Sequence, residues 1–326
     1  MRGTMASDPT TARAFWITGA GQSEVRDEAL ASPRAGEVLV ETLFSGVSRG
    51  TETLVFQGRV PPSEYRRMRC PHQAGDFPAP VKYGYSNVGR ARGGAHAGRA
   101  VFCLFPHQTA YVVLERALVP VPDGVPPGRA VLGANMETAL NALWDARVRA
   151  GDRVSVVGAG VVGCLVAFLA ARVPGTHVEL VDVLPARAAV AAALGASFAT
   201  PGTANAGRDV VFHASGRAEG VRTALSLAAD DAAIVELSWY GDAEVPLPLG
   251  ADFHVRRLTL RSSQVGTVSP EARPRFTHRS RLELALSLLR DDRLDCLIDG
   301  ETPFDALPAA LAELALQGGL CRRVRY

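Results

Sequence analysis

The densest chemical signal lies in VSVVGAGVVGCLVAFLAA, where Gly158, Gly160 and Gly163 are spaced G-x-G-x-x-G. A β-branched run precedes these glycines and an apolar helical run follows. Asp182 closes the next β-branched run, VELVDV, about 20 residues further on. Each residue type has a physical task in binding a dinucleotide. Gly158 permits a tight turn, Gly160 lets backbone approach a pyrophosphate, and Gly163 lets helix and strand pack closely. Val161 and Val162 open the helix, whose unpaired N–H groups and partial positive charge suit phosphates. Asp182 is placed to accept hydrogen bonds from the adenosine ribose. Its charge repels a 2′-phosphate, which favours NAD over NADP. Arg187 follows, within reach of the adenine or a phosphate. Ser215, with His213 in VFHASG, ends another β-branched run, at the carboxyl end where such cofactors lie, and is expected to touch the dinucleotide.

A second signal is a single residue. The chain has 35 basic residues, and Lys82, in PVKYGYSNVG, is the only lysine. The arginine excess reads as coding bias, so the exception draws attention. A lysine ammonium is compact and can exchange its proton when buried, which arginine cannot do. In an extended segment Tyr83 and Tyr85 share one face while Lys82 and Gly84 share the other. A Lys82–Tyr85 contact therefore needs a kink, which Gly84 permits. The alternative is a surface residue that escaped the bias.

The elements that must position these groups fall into two textures. From Ala14 to about Val121 short alternating strands are punctuated by Gly and Pro, as an antiparallel β domain requires. Residues 57–80 form a long insertion carrying Arg59, Arg66, Arg67 and Arg69, either a solvated loop or a lid for an anionic substrate group. From about Pro126 strands alternate with helices, which implies an α/β, doubly wound parallel sheet. The expected boundaries are 1–125 with 268–326 for the β-rich substrate domain and 126–267 for the dinucleotide domain. The strand LTLRSSQVG presents an edge that invites pairing in a homodimer.

Composition narrows the class. The 326 residues are 47% hydrophobic and 21% charged, with a formal net charge of +2, so packed cores are expected and wholesale disorder is not. No basic block with interleaved aromatics supports nucleic-acid binding, and no apolar run reaches the roughly 18 residues of a membrane span. The first residues lack a signal-peptide apolar core, and five irregularly spaced cysteines form no disulfide framework. A reduced, cytoplasmic protein is expected.

The order of a β-rich half, a dinucleotide half and a C-terminal return resembles the medium-chain dehydrogenase/reductase superfamily, whose type members are zinc alcohol dehydrogenases. The resemblance spans about Ala14 to Tyr326. It implies a Rossmann domain and a GroES-like domain. FSGVSRGTE and PVKYGYSNVG look most like the branch containing bacteriochlorophyllide dehydrogenase. Where zinc members carry a cysteine, a histidine and a further cysteine or histidine, this chain has Ser48 or Arg49, Tyr85, and Ala134. None suits zinc. The four-cysteine structural lobe is missing too, so the expectation is no zinc. A residual metal alternative uses Cys70, His72, Cys103 and His107.

A metal-free hydride-transfer site still needs a proton donor or an electrophile near the substrate oxygen. The groups at or near the vacated positions are Ser48, Thr51, Glu52, Lys82, Tyr85, Ser86 and Glu137, and Ser48, Thr51, Lys82, Tyr85 and Glu137 are the catalytic candidates. Glu52 is a supporting carboxylate, and His107 an alternative general acid. The expected enzyme is an NAD-dependent, zinc-independent oxidoreductase interconverting a secondary alcohol and a ketone on a bulky small molecule. Alternatives are an enoyl or quinone reductase of the same fold and a non-catalytic dinucleotide-binding protein.

Overall fold

The computed structural model describes residues 10–326. The chain forms two compact units. One runs to Val131 and regains Gly300–Gly318 and Arg322–Tyr326; the other comprises Leu132–Asp299 with Gly319–Cys321. The return to the first unit thus begins at Gly300, not at residue 268.

The first unit is antiparallel β structure. Strands β1 (Thr11–Gly19) and β2 (Gln22–Ala29) form a hairpin, and β3 (Glu37–Val47) is the long central strand. Helix α1 (Arg49–Phe56) leaves β3 at once. The short β4 (Ala74–Gly75) and β5 (Val81–Lys82) pair with each other, and β5 joins β1. Strands β6 (Asn87–Ala91), β7 (Ala100–Cys103), β8 (Ala110–Leu114) and β9 (Val119–Pro120) complete the sheet around β3. Val38, Val40, Ala91, Val101, Tyr111, Val113 and Leu118 share one core, because alternate residues of each strand face inward.

The second unit begins after α2 (Pro127–Ala130) with α3 (Gly133–Ala146). Then β10 (Arg153–Val157), α4 (Val161–Ala170), β11 (His177–Val181), α5 (Arg187–Leu194), β12 (Ser197–Ala199), β13 (Arg208–His213), α6 (Ala218–Leu227), β14 (Ala228–Glu236) and β15 (Thr259–Ser262) follow in alternation. The sheet order is β12-β11-β10-β13-β14-β15, and every pair is parallel. The order reverses between β10 and β13, the topological switch point at which doubly wound sheets bind ligands. Parallel strands are covered on both faces, which is why β10, β11 and β13 read as near-continuous apolar runs. On one face Val157, Val181, Val211 and Ile234 pack with Val221, Ala224 and Leu225 of α6.

Helix α7 (His278–Leu288) starts at a reciprocal cap, with Ser280 N–H donating to Thr277 Oγ1 and Thr277 N–H to Ser280 Oγ. Its Arg281 is buried against α3, so this stretch belongs to the second unit. Strand β16 (Ile298–Pro303), helix α8 (Leu307–Gln317) and strand β17 (Cys321–Arg325) end the chain, and β17 pairs with β3. No helix among the described residues is long and apolar enough to cross a membrane.

Candidate active site

The glycine loop sits at the carboxyl end of β10. Gly158 has φ +108, and a Cβ there would meet Ser215 N at 2.6 Å. A Cβ on Gly163 would lie 1.9 Å from the Gly158 carbonyl oxygen, so helix α4 can approach the strand only without a side chain. Gly160 differs: a Cβ there would meet nothing within 4 Å. Its glycine is not required by the protein's own packing, and it leaves backbone bare at the helix start, beside the amides of Val161 and Val162. A pyrophosphate fits such a cradle.

Asp182 follows β11. Its Oδ2 accepts from Ala159 N–H at 2.7 Å and its Oδ1 from Leu184 N–H at 2.9 Å, so it is fixed against the glycine loop. Val183 and Leu184 beside it are 73% and 53% exposed, an apolar ledge of the kind a purine can cover. Arg187 begins α5, and its charge, with that of Asp182, acts on the buried Cys164 thiol of α4. Ser215 follows β13, across the switch point from Gly158. These residues fit a dinucleotide, and the structure brings the sequence candidates Gly158, Gly160, Val161, Val162, Gly163, Asp182, Arg187 and Ser215 to one end of one sheet.

The first unit holds a separate buried constellation centred on Glu52 of α1, which is 2% exposed. Ser48 is the helix N-cap, but its hydroxyl does not cap. Glu52 Oε1 instead accepts the Ser48 N–H at 2.7 Å. The Ser48 hydroxyl is left to hydrogen-bond Tyr85, as does Thr51. Burial first, and then the Glu52 charge, push the Tyr85 phenol well above its usual range, while those two hydroxyls pull the other way. Tyr85 is therefore a phenol at neutral pH, a proton donor toward a ketone and a base toward an alcohol only once deprotonated.

On the other side, Glu52 Oε2 lies 2.8 Å from His107 Nε2, His107 Nδ1 lies 2.7 Å from Ser45 Oγ, and Ser45 Oγ lies 2.9 Å from the Tyr326 hydroxyl. Giving each hydroxyl one proton and keeping Glu52 ionised assigns the ring proton to Nε2. Tyr326 then donates to Ser45, Ser45 to His107, and His107 to Glu52. Burial raises the Tyr326 phenol too, with the Glu52 charge adding to it. Gly84 makes the assembly possible. It has φ +135, and a Cβ there would lie 2.9 Å from His107 Cδ2. Sequence reasoning placed Glu52 and His107 at the margin and missed Ser45 and Tyr326; the one signal for Ser45 was a hydroxyl in the apolar end of β3, LFSGV.

Two candidates lie elsewhere. Lys82 Nζ donates to Glu28 Oε2 and to Gln108 Oε1, both at 2.7 Å, and lies 5.7 Å from the Trp16 ring centroid. Trp16 Nε1 donates to the other Glu28 oxygen at 2.6 Å. Strand β5 ends at Lys82 and the chain turns at Gly84, which sends Lys82 to the β1–β2 hairpin and away from a Tyr85 acid/base pair. Glu137 is ion-paired within the second unit to Arg281 Nε at 2.9 Å, and Arg281 Nη1 donates to Asn141 at 2.6 Å. Both are structural pairs. Ser86 has a buried hydroxyl without a hydrogen-bond partner.

The donors present do not fit zinc. The positions read as vacated carry Ser48, Tyr85 and Ala134, and both carboxylate oxygens of Glu52 are already engaged. Burial pushes the Cys70 thiol, which is hydrogen-bonded to the Gly84 backbone, up to about 12, and Cys103 likewise. His72 lies against Phe105 with ring centroids 5.2 Å apart. Cys70, His72, Cys103 and His107 thus form no ligand set, and no cluster of three or more His, Cys, Asp or Glu suited to a metal occurs among the described residues.

Comparison with known proteins agrees with this architecture. No protein-family model matches the chain. D-guloside 3-dehydrogenase of Escherichia coli is 25% identical over 307 residues, covering 84% of this chain and 87% of that protein. Among solved structures, L-idonate 5-dehydrogenase of E. coli superposes with a TM-score of 0.80 at 17% identity, over 97% of this chain and 98% of that one. A zinc-binding-type dehydrogenase of Sinorhizobium meliloti bound to NADP superposes at 0.78 with 18% identity, over 98% and 100%. The 3-2-1-4-5-6 parallel sheet with its glycine loop, the antiparallel unit and these likenesses converge on one architecture: the chain has the Rossmann-plus-GroES-like fold of the medium-chain dehydrogenases.

Proposed function

We propose that the chain is a zinc-independent, NAD-dependent dehydrogenase that interconverts a secondary alcohol and a ketone on a sugar-like molecule. The observation that carries this reading is the buried Glu52 carboxylate, which accepts the Ser48 N–H at 2.7 Å and lies 2.8 Å from His107 Nε2. One sheet end offers the phosphate cradle and the ribose acid, and the bound nicotinamide supplies the hydride acceptor or donor. The chain's own groups handle the proton. Burial, with the Glu52 charge adding to it, keeps two phenols, Tyr85 and Tyr326, protonated. Tyr85, held by Ser48 and Thr51, donates a hydrogen bond to the substrate oxygen and stabilises the charge that develops there on reduction. The Tyr326–Ser45–His107–Glu52 chain holds the compensating protons, and Glu52 stabilises an imidazolium if His107 takes one up. The guloside dehydrogenase likeness supports a sugar-type alcohol as substrate.

The test is turnover by chelator-treated protein with NAD⁺ and NADP⁺ against a panel of glycosides and polyols. Activity is expected to survive chelation, to favour NAD⁺, and to fall about 10²–10⁴-fold in Tyr85→Phe with dinucleotide binding retained. Turnover that vanishes on chelation and returns with zinc, or a fully active Tyr85→Phe, overturns the proposal.

A further inference from the structure

Beside the glycine loop lies a hydrogen-bonded chain that the proposed reaction does not use. His213 closes β13 and its side chain is fully buried. His213 Nδ1 lies 2.8 Å from both carboxylate oxygens of Glu236, which closes β14. His213 Nε2 lies 2.6 Å from Ser215 Oγ. Glu236 is held in turn by Ser238 N–H at 2.7 Å and by the Tyr240 hydroxyl at 3.0 Å. Glu236, His213 and Ser215 are thus in line, and the line ends at the residue whose backbone abuts Gly158.

Acyl-transfer chemistry is the first thing such a line suggests, but the loop lacks a free oxyanion donor. Gly216 N–H is spent on Ser238 Oγ at 3.0 Å, and Arg217 N–H points at Ser215 Oγ itself at 3.2 Å. The position of Ser215 decides its use. It stands at the switch point, opposite the phosphate cradle, where a dinucleotide is the ligand.

We propose that His213 sets the hydrogen-bonding polarity with which Ser215 meets a bound dinucleotide, so that protonating His213 tightens binding. The proposal rests on the dinucleotide site described above. With His213 neutral, Nδ1–H donates to the Glu236 carboxylate and Nε2 is a bare acceptor. Ser215 must then give its only proton to Nε2, and it already receives Arg217 N–H. It can offer a ligand no donor. With His213 protonated, Nε2–H donates to Ser215 Oγ and frees the hydroxyl proton. Ser215 becomes a donor, and the ring behind it carries a positive charge. The groups facing the imidazole are Glu236 from β14, Ser238 and Tyr240 from the segment after it, and Ser215 with the Gly220 backbone from the start of α6; Glu236 and Tyr240 are the titratable ones. Burial alone would raise Glu236, but its bonds to His213 and Ser238 hold it below the usual carboxylate range, so it stays charged throughout the relevant window. The Tyr240 phenol is pushed up, by burial and by Glu236, and stays protonated. Of the side-chain types at this site, the imidazole is the one that can take up a further proton near neutral pH.

The experiment is NAD⁺ binding by calorimetry from pH 5.5 to 8.5 for the wild type, Ser215→Ala and His213→Gln. Wild-type affinity is expected to rise on the order of tenfold as the pH falls, a coupling of ordinary allosteric size. Both variants are expected to bind with a flat profile. By linkage, NAD⁺ must raise the midpoint of the His213 ring resonance, identified by its absence in His213→Gln, by about one unit for tenfold coupling. If His213→Gln fails to fold, the wild-type pH profile set against that of Ser215→Ala still decides. A wild type that binds NAD⁺ with a flat profile, or a Ser215→Ala profile parallel to it, overturns the switch and leaves the dinucleotide site intact. A wild type that binds no NAD⁺ at any pH overturns both.

Discussion

The three loop glycines should respond to alanine in three different ways, and the differences follow from what each Cβ would touch. At Gly160 the backbone has φ −76 and ψ 178, an extended conformation any residue adopts, and the new methyl meets nothing within 4 Å. Gly160→Ala should therefore stabilise the free protein by about 0.4–1 kcal/mol, by narrowing the unfolded ensemble. In a chain of this size that is a rise of about 1–3 °C in the melting midpoint. The same methyl stands where backbone must approach the pyrophosphate. NAD⁺ affinity should fall on the order of a hundredfold, about 2.7 kcal/mol. Gly163→Ala reverses this pattern. Its Cβ would lie 1.9 Å from the Gly158 carbonyl oxygen, so strand and helix must separate, at a cost of about 3 kcal/mol or more whatever ligand is present. Gly158→Ala combines a left-handed φ with a 2.6 Å contact to Ser215 N and should lose both stability and binding. Thermal melts of the free proteins and calorimetry with NAD⁺ separate the cases. A Gly160→Ala protein that melts higher and binds NAD⁺ as the wild type does would refute the claim that this glycine is reserved for a ligand.

Three further perturbations test the remaining groups. Arg281→Met strands Glu137, Asn141 and two backbone carbonyls in the core and should cost about 3–5 kcal/mol in denaturant unfolding; Glu137→Gln in the same chain should recover part of it, and no loss would contradict the buried pair. Lys82→Met leaves Glu28 and Gln108 without their ammonium and should cost about 1–3 kcal/mol while changing turnover by less than about threefold, whereas a collapse of kcat in folded protein would return Lys82 to the active site. Alcohol oxidation should still be climbing at about pH 9–10, because Tyr85 must lose a proton held above the usual tyrosine range, and a plateau near pH 7 would mean that Tyr85 is not the group that gives it up.

Much of the second unit was legible because its information is local. Strand, glycine turn, helix and acid lie within one βαβ stretch, and the buried parallel strands announce themselves as apolar runs. The proton-handling cluster was only half legible. Ser48, Thr51 and Tyr85 came from motif position, and they meet because Gly84 bends the chain over His107. The partners of His107 could not be read the same way. Ser45 is 62 residues from it in sequence, and Tyr326 is 281 from Ser45; strand pairing between β17 and β3 brings them together, and no period in the sequence records that pairing. Lys82 misled for a related reason. A lone lysine marks an exception in composition, but a buried cation needs a carboxylate wherever it lies, and Glu28 on a neighbouring hairpin meets that need.

The same electrostatics bear on the proposed metal-free chemistry. A zinc site gathers negative ligands around a dication and uses the surplus positive charge to stabilise an alkoxide. Here the one buried carboxylate of the first-unit cluster, Glu52, faces a histidine and two phenols, and burial raises the nearby Cys70 thiol. What the cluster offers instead is donors whose protons are costly to lose to solvent yet readily shared with a stronger base. A ketone oxygen becoming an alkoxide is such a base, with a pKa above that of a phenol in water. The match between Tyr85 and that alkoxide is closest when both are desolvated together, so the rate should depend on excluding water from Tyr85 as much as on Tyr85 itself. Ser48→Gly, which removes one of the two hydroxyls that hold the phenol and opens space for water, should therefore lower kcat with little change in dinucleotide affinity, and added Thr51→Ala should lower it further. Equal effects on affinity and on kcat would mean the two hydroxyls shape the fold and not the proton donor.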